Sequence, residues 1–426
     1  MRNYGDPKLE FVFGKGSYLT STAGESYLDF TTGIAVNSLG HCHPKLIAAL
    51  QDQSERLWHS SNLYRISQAE TLAQKLIANT FADRVFFCNS GTEAIEAGIK
   101  IIRRYFYSKG HEQKNRIISL TSAFHGRTLG ALALANNPSQ TQGFLHGDGG
   151  FDQVEYGNVN DLKNKINDMT AGIVIEPIQG EGGIRVAMKE YLAEIKDLCK
   201  INNLLLFFDE VQSGVGRSGS LYAYQELGTQ PDLLATAKGL GGGVPIGACI
   251  ATENIAAAMT PGTHGSTFGG NPLAAAAANA VLDEILSPNF LNDVKKRSQY
   301  LFAKLETLLR QYPKLLRDVD GMGFMIGLGF HKDASDIVKL AEEKKLLLVK
   351  AGRNYIRLLP PLNISVSEID EAVEIIECCL QDSGWSDFLI KDASAAKNGL
   401  QEKRNAYAKI SGKKLFFSLF FFALPC

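Results

Sequence analysis

The sequence lacks the signals of several protein classes. Its seven cysteines, at 42, 88, 199, 249, 378, 379 and 426, are an odd set with no CxxC pair and no metal-ligand spacing, which argues against a disulfide framework and a zinc site and fits a reducing compartment. No charge of one sign dominates: 44 Lys and Arg against 45 Asp and Glu leave a formal net charge of -1. There is no basic field for nucleic acid and no acidic tail for a basic partner. No uninterrupted apolar run approaches the ~18 residues of a membrane span, and the opening residues lack the apolar core of a signal peptide. The expectation is a cytoplasmic protein with no membrane or nucleic-acid partner. No GxGxxG follows the first strand with an acid about 20 residues on, which speaks against a nucleotide-dependent oxidoreductase. Repeats and low-complexity tracts are absent too. What is there is an ordinary globular composition, 45% hydrophobic and 21% charged over 426 residues, long enough for one large domain with a smaller companion. Small-molecule chemistry is the default.

The stretch 204–249 carries most of the chemical information. Leu204 to Phe208 is an apolar run too short for a helix and suited to a strand buried on both faces, which puts Asp209 at its carboxyl end, where α/β sheets bind ligands. A second apolar stretch, 232–237, ends in Lys238 and is followed by glycines that let other groups come close to the backbone. An amine at one strand end and a carboxylate at the end of another are what a pyridoxal-phosphate enzyme requires. Taken alone, the pair also fits a helix cap and a solvated surface charge.

Other stretches add to it. Residues 1–44, rich in glycine and aromatics, predict short strands and turns, and His41 and His43 have no cluster that would make them metal ligands. Pro44 predicts the first residue of a helix running to about Leu57, and Ser67 with Glu70 predicts a capping box for another reaching Asn79. Strand 84–88 leads into Asn89-Ser-Gly-Thr-Glu-Ala94, a turn opening a helix whose free amides and dipole suit a phosphate, although a plain cap would look the same. The loop Phe124-His-Gly-Arg127 offers an aromatic for stacking and a guanidinium for a carboxylate. Residues 136–160 predict a long irregular connection, and Gln179-Gly-Glu181-Gly-Gly183 a mobile loop with an acid between glycines. Strands alternating with helices from about 84 to 250 predict one mostly parallel sheet. From 288 the texture becomes α+β, with Arg357 on a strand stopped by Pro360 and Pro361. Residues 385–426 stand apart, with seven Lys and Arg against three Asp and Glu and an apolar, Phe-rich end; they predict an atypical tail without a role in the chemistry.

Together these motifs resemble the class III pyridoxal-phosphate-dependent aminotransferases over about residues 8–382: Gly-Ile-Ala-Val-Asn at 33–37, His-Ser-Ser-Asn-Leu-Tyr at 59–64, NSGTEA, FHGRT, EPIQGEGG, FDEVQSGVGRSG, AKGLGGGVPIG, STFGGNP and RLLPPL. The resemblance implies an α/β protein of PLP-dependent transferase fold type I, with a mostly parallel seven-stranded sheet in a large domain at 45–287. A smaller α+β domain would occupy 288–384, joined by 1–44. It implies Lys238 as the Schiff-base lysine and Asp209 as partner of the pyridine nitrogen. Gln212 would lie near the ring hydroxyl, Phe124 against the ring, Gly91 and Thr92 on the phosphate, and Thr267 would reach it from a neighbouring subunit of a homodimer. Arg127 and Ser266 would contact an acetylated substrate, Arg357 an α-carboxylate, and Glu181 would mask Arg357. The branch of the family most similar in these motifs implies N2-acetyl-L-ornithine as amino donor and 2-oxoglutarate as acceptor, in arginine biosynthesis, with pyridoxal 5'-phosphate as cofactor and no metal. Ornithine, 4-aminobutyrate and succinyl-diaminopimelate remain alternative donors, and a non-catalytic relative with a binding tail is the remaining alternative.

Overall fold

The computed structural model describes residues 1–383 except His146 and Arg353; the tail expected at 385–426 lies outside the described residues. Its centre is a sheet of seven strands, numbered here in chain order: β1 (Arg84–Cys88), β2 (Arg116–Leu120), β3 (Phe151–Val154), β4 (Thr170–Ile175), β5 (Leu205–Asp209), β6 (Leu233–Thr236) and β7 (Gly247–Ala251). Their spatial order is β1-β7-β6-β5-β4-β2-β3. β4 and β5 are buried along their whole length, and alternate residues feed opposite faces: Leu206 and Phe208 belong to one apolar cluster, Leu205 and Phe207 to the other. That is why these strands read as unbroken apolar runs rather than as alternation.

Six strands run parallel and β7 runs against both of its neighbours. The reason lies in the connections. Parallel neighbours need a crossover of a dozen or more residues, which the helix Lys189–Asn202 supplies between β4 and β5. Between β6 and β7 there is only a short turn of 3-10 helix, Lys238–Leu240, so the chain doubles back. The carboxyl ends of β1, β2, β4, β5 and β6 therefore share one edge, the edge where an α/β sheet takes its ligand.

The helix Gly91–Ser108 lies across the sheet on a stripe that includes Ala94, Ile95, Gly98, Ile102 and Tyr105, all buried, at helical spacing. Gly98 is required by the sheet: a Cβ there would come within 2.2 Å of the Phe207 ring. Gly98→Ala is expected to lower stability by ~1–3 kcal/mol through overpacking, despite alanine's better helix propensity. A thermal melt checks this, and an unchanged or raised midpoint would contradict it.

Two four-stranded sheets flank this core. One is an antiparallel meander of Phe11–Lys15, Tyr18–Ser21 and Ser26–Asp29, extended by Leu346–Leu347. The other orders Leu316–Met322, Met325–Phe330, Tyr355–Leu358 and Val349–Ala351, with the helices Phe290–Gln311, Ser335–Glu343 and Val366–Asp382 in the same part of the chain.

Three local expectations are corrected. Ser67 does not cap its helix; the cap position is Ile66 without a side-chain bond, because Arg65 takes both oxygens of Glu70 at 2.8 and 2.7 Å. Residues 136–160 are not irregular throughout, since they hold the short helix Pro138–Thr141 and the edge strand β3. The helix from Pro44 ends at Ser54 rather than near Leu57. Among the described residues no helix is long and apolar enough to cross a membrane.

Candidate active site

At the shared carboxyl edge lies a cavity of about 250 Å³, lined by Gly91, Thr92, Phe124, Arg127, Glu181, Asp209, Gln212 and Lys238 together with His125, Gly126, Glu176 and Val211. Eight residues singled out in the sequence thus meet in one place, although they come from different turns of the chain. A larger cavity of about 490 Å³ is lined in part by Arg84, Phe86 and Glu253. Arg84 and Glu253 pair with each other at 2.6 Å, and that cavity holds no amine facing a carboxylate, so the smaller one is the chemical candidate.

Lys238 follows β6 with φ of +44°, a left-handed conformation that costs a side-chain-bearing residue roughly 1–3 kcal/mol and is found mostly where function imposes it. Burial pushes its amine down to about 8, and the positive charge of Arg357 adds to this against the pull of Glu181, Asp209 and Glu176. A large share of such an amine is neutral and nucleophilic near pH 8, where an ordinary lysine is almost wholly charged.

Asp209 closes β5. Its Oδ2 lies 2.7 Å from Nδ1 of His125 and its Oδ1 accepts the amide of Val211 at 3.1 Å. Burial alone would lower the His125 imidazole, but the hydrogen bond and charge of Asp209 more than offset it, and the result is a raised pKa. Two further acids stand nearby. Glu210 is pushed up to about 7 by burial and is spent on structure, accepting the amides of Ala223 and Tyr224 at 2.6 and 2.9 Å. Glu176, one residue past β4, is likewise pushed up to about 7 by burial, with Asp209 adding to the rise and His125 opposing it. His125 and Glu176 had no assigned role in the sequence. His125 was visible only as part of the FHGR loop. Glu176 carried the same signal as Asp209, an acid closing an all-apolar strand.

Arg357 sits on the strand Tyr355–Leu358 and is 1% exposed. Its Nη1 donates to Glu181 Oε1 at 2.8 Å, to Gln212 Oε1 at 3.0 Å and to the Gly180 carbonyl at 3.1 Å. Gln212, expected at a ring hydroxyl, thus serves the arginine here. Glu181 stands in the loop 180–184, which joins the two short strands Ile178–Gln179 and Arg185–Val186 of a small hairpin. Arg127 is exposed, stacks its guanidinium 5.4 Å from the Phe124 ring centroid, and has no ion-pair partner among the described residues. Ser266 and Thr267 do not line the cavity; Asn89 Nδ2 donates to Ser266 Oγ at 3.2 Å, and Thr267 is exposed.

The donor set fits a small phosphorylated aromatic ring. The helix Gly91–Ser108 points its start at the cavity, and its first amides have no acceptor within the helix. Gly91 and Gly126 keep the space open: a Cβ on the first would meet Val211 at 2.6 Å, and on the second Thr92 at 2.2 Å. Phe124 offers a flat face, Asp209 an anion held from behind, and Lys238 an amine.

An anion cradle, a held carboxylate and a low-pKa amine on one mostly parallel sheet define an enzyme of amine chemistry. The family model described as Aminotransferase class-III matches residues 2–380, and the chain belongs to the class-III aminotransferases. It is a transaminase, and the enzymes of this family work with pyridoxal 5'-phosphate. It is similar to acetylornithine aminotransferase 1 of Bradyrhizobium diazoefficiens, 49% identical over 87% of this chain and 91% of the relative. The acetylornithine aminotransferase of Clostridium acetobutylicum is 48% identical over 88% and 97%. Among solved structures, ornithine aminotransferase from Toxoplasma gondii superposes with a TM-score of 0.87 at 30% identity, covering 91% of this chain and 93% of that one. N-acetylornithine aminotransferase from Stenotrophomonas maltophilia gives 0.78 at 32%, covering 89% and 97%.

Proposed function

We propose that this transaminase moves the ω-amino group of N2-acetyl-L-ornithine to 2-oxoglutarate, giving N-acetyl-L-glutamate 5-semialdehyde and L-glutamate, with pyridoxal 5'-phosphate in the cavity described. The observation that carries the two-substrate reading is the buried Arg357 with Glu181 on it at 2.8 Å. An arginine that binds an α-carboxylate suits glutamate, and an acid on a glycine-flanked hairpin covers it when a neutral or cationic end occupies the same place. The acetylated donor is supported by the relatives near half identity and by the unpaired Arg127 guanidinium, a bidentate site for a substrate carboxylate.

In this reading Lys238 would hold the cofactor through its amine, Asp209 would serve the ring nitrogen, Phe124 would offer its face to the ring, and Gly91 and Thr92 would give amides to the phosphate. When bound, the cofactor supplies an electron sink for the pair left behind as the substrate carbon loses its proton. Lys238, its amine released, takes that proton from the amine-bearing carbon and returns it as general acid. Asp209 would keep its negative charge for the ring nitrogen, and His125 holds the carboxylate in place through its 2.7 Å contact with Oδ2. Glu181 covers Arg357 for one substrate and yields it to the other, so donor and acceptor use one site in turn and ping-pong kinetics follow. Thr267 and Ser266 serve the site of a second copy in a homodimer. The exposed run of Trp58, Leu63 and Tyr64, with Phe268 beside Thr267, supplies apolar surface for such an interface.

The test is a donor panel with 2-oxoglutarate as acceptor. N2-acetylornithine is expected to exceed ornithine, 4-aminobutyrate and succinyl-diaminopimelate in kcat/KM by at least about tenfold, the scale of one well-placed charge-assisted contact. Equal rates on free ornithine would remove the acetyl preference and leave the chemistry standing. A second expectation concerns pH. Capture of the cofactor by the cofactor-free protein needs a neutral Lys238, whose pKa is lowered to about 8. The capture rate should rise from pH 7 through 8, where half of the amine is neutral, and level off about one unit above. A rise continuing to pH 10 would mean an unperturbed lysine.

A further inference from the structure

We propose that Glu176 is a positioning residue that ties the Glu181 hairpin to the Phe124–His125 segment, so that masking of Arg357 and the seating of the aromatic face change together. The inference rests on the two-substrate reading above. Glu176 is buried and its carboxylate reaches two separate parts of the chain: Oε2 accepts the amide of Phe124 at 3.1 Å, and Oε1 accepts the amide of Gly180 at 3.4 Å. Both partners are donors. A glutamine of the same shape has one accepting oxygen and one donating nitrogen, so it could keep only one of the two bonds. A buried acid is costly to keep, and here the acceptor-only chemistry of a carboxylate is the property that serves both segments.

The second partner is the pivot of the hairpin. The Gly180 carbonyl accepts from Arg357, and the next residue is Glu181, which covers that arginine. A Cβ at Gly180 would meet Gln212 at 2.6 Å, and one at Gly182 would meet Ser122 at 2.7 Å. Gln179 Nε2 donates to the Thr121 carbonyl at 2.9 Å. The hairpin therefore rests directly on 121–124, the segment that carries Phe124 to the cavity. Movement of Glu181 off Arg357 pulls on Gly180. The bond from Gly180 to Glu176 is the longer of the two, hence the one able to yield, while the Phe124 bond holds the carboxylate to the aromatic side.

Hydrogen exchange on the full-length holoenzyme tests the coupling without relying on turnover. Glu181→Ala removes the mask. It is expected to speed exchange in peptides covering 178–186 and, through Glu176, by several-fold to about tenfold in those covering 122–128, the scale of one hydrogen bond to a charged group. In Glu176→Gln the response of 122–128 to the second substitution should vanish, which a double-mutant cycle reads directly. A response of 178–186 alone in Glu181→Ala, or one at 122–128 that persists in Glu176→Gln, would overturn the proposal. Should Glu176→Gln fail to fold, Glu176→Asp, which keeps the charge and shortens the reach, carries the same cycle. In kinetics, Glu176→Gln should shift the ratio of the donor and 2-oxoglutarate half-reaction rates by about tenfold; an equal fall in both would assign Glu176 to packing alone. Failure of the parent reading would show separately, as wild-type protein inactive with N2-acetylornithine.

Discussion

Lys238→Ala is expected to reduce amine transfer by at least ~10³-fold, the combined loss of a covalent nucleophile and of the general acid–base that moves the substrate proton. No other amine lines the cavity to replace the nucleophile: Lys238 is the one lysine there, and the guanidinium of Arg127 does not give up a proton at working pH. The fold should tolerate the change, because a buried amine pushed down by desolvation contributes little to stability that a methyl group would forfeit. Loss of activity with an unchanged circular dichroism spectrum and thermal midpoint would therefore be chemical. The visible absorbance of the wild-type holoprotein gives an independent check: it should be altered in the variant and should no longer respond to an amino donor. Turnover above about a tenth of wild type would end the assignment of Lys238.

Much of this site could be read from the chain because its residues sit where apolar strands stop. The run 204–208 is wholly apolar and 233–237 is apolar but for Thr236, and a polar residue that closes such a run lies at the ligand-binding edge if the sheet is parallel. Asp209, Lys238 and the Gly91 turn follow from that rule alone, and the family resemblance added their roles. What could not be read depends on contacts between distant segments. His125 gains its importance from a carboxylate 84 residues away, and nothing local marks it as more than a loop histidine. Glu176 obeys the same strand-end rule, but its role depends on amides at Phe124 and Gly180 that its own stretch of sequence does not reveal as partners. The cap expected at Ser67 failed because a competing partner, Arg65, is only two residues upstream of it and binds Glu70 bidentately. A capping box scores 67 against 70 and does not see 65. The antiparallel return of β7 has its sequence signal in the short link from Lys238 to Gly247, which leaves no room for a crossover helix.

Asp209→Asn carries the second large effect. The substitution keeps the shape and removes the charge, so the ring nitrogen of a bound cofactor would lose the anion that favours its protonated state. A preorganised charge of this kind is worth ~10²–10³-fold in kcat, and because the substrate contacts proposed at Arg127 and Arg357 would be untouched, KM should change little. The same substitution reverses the balance on His125. Burial lowers that imidazole, and the hydrogen bond and charge of Asp209 raise it, with the charge of Glu176 adding to the rise; with the Asp209 charge gone, only Glu176 opposes burial and the His125 pKa falls. His125→Asn alone is expected to cost less, about tenfold, since Asp209 would keep its charge and its bond from Val211 while losing the group that fixes its second oxygen. In the Asp209→Asn background the His125 substitution should then cost almost nothing, because the histidine acts through the carboxylate and not on the substrate. Strict additivity of the two losses would mean that His125 has a separate role. A rise in KM for both substrates with kcat preserved would mean instead that Asp209 holds the fold of the site rather than the charge of the reaction.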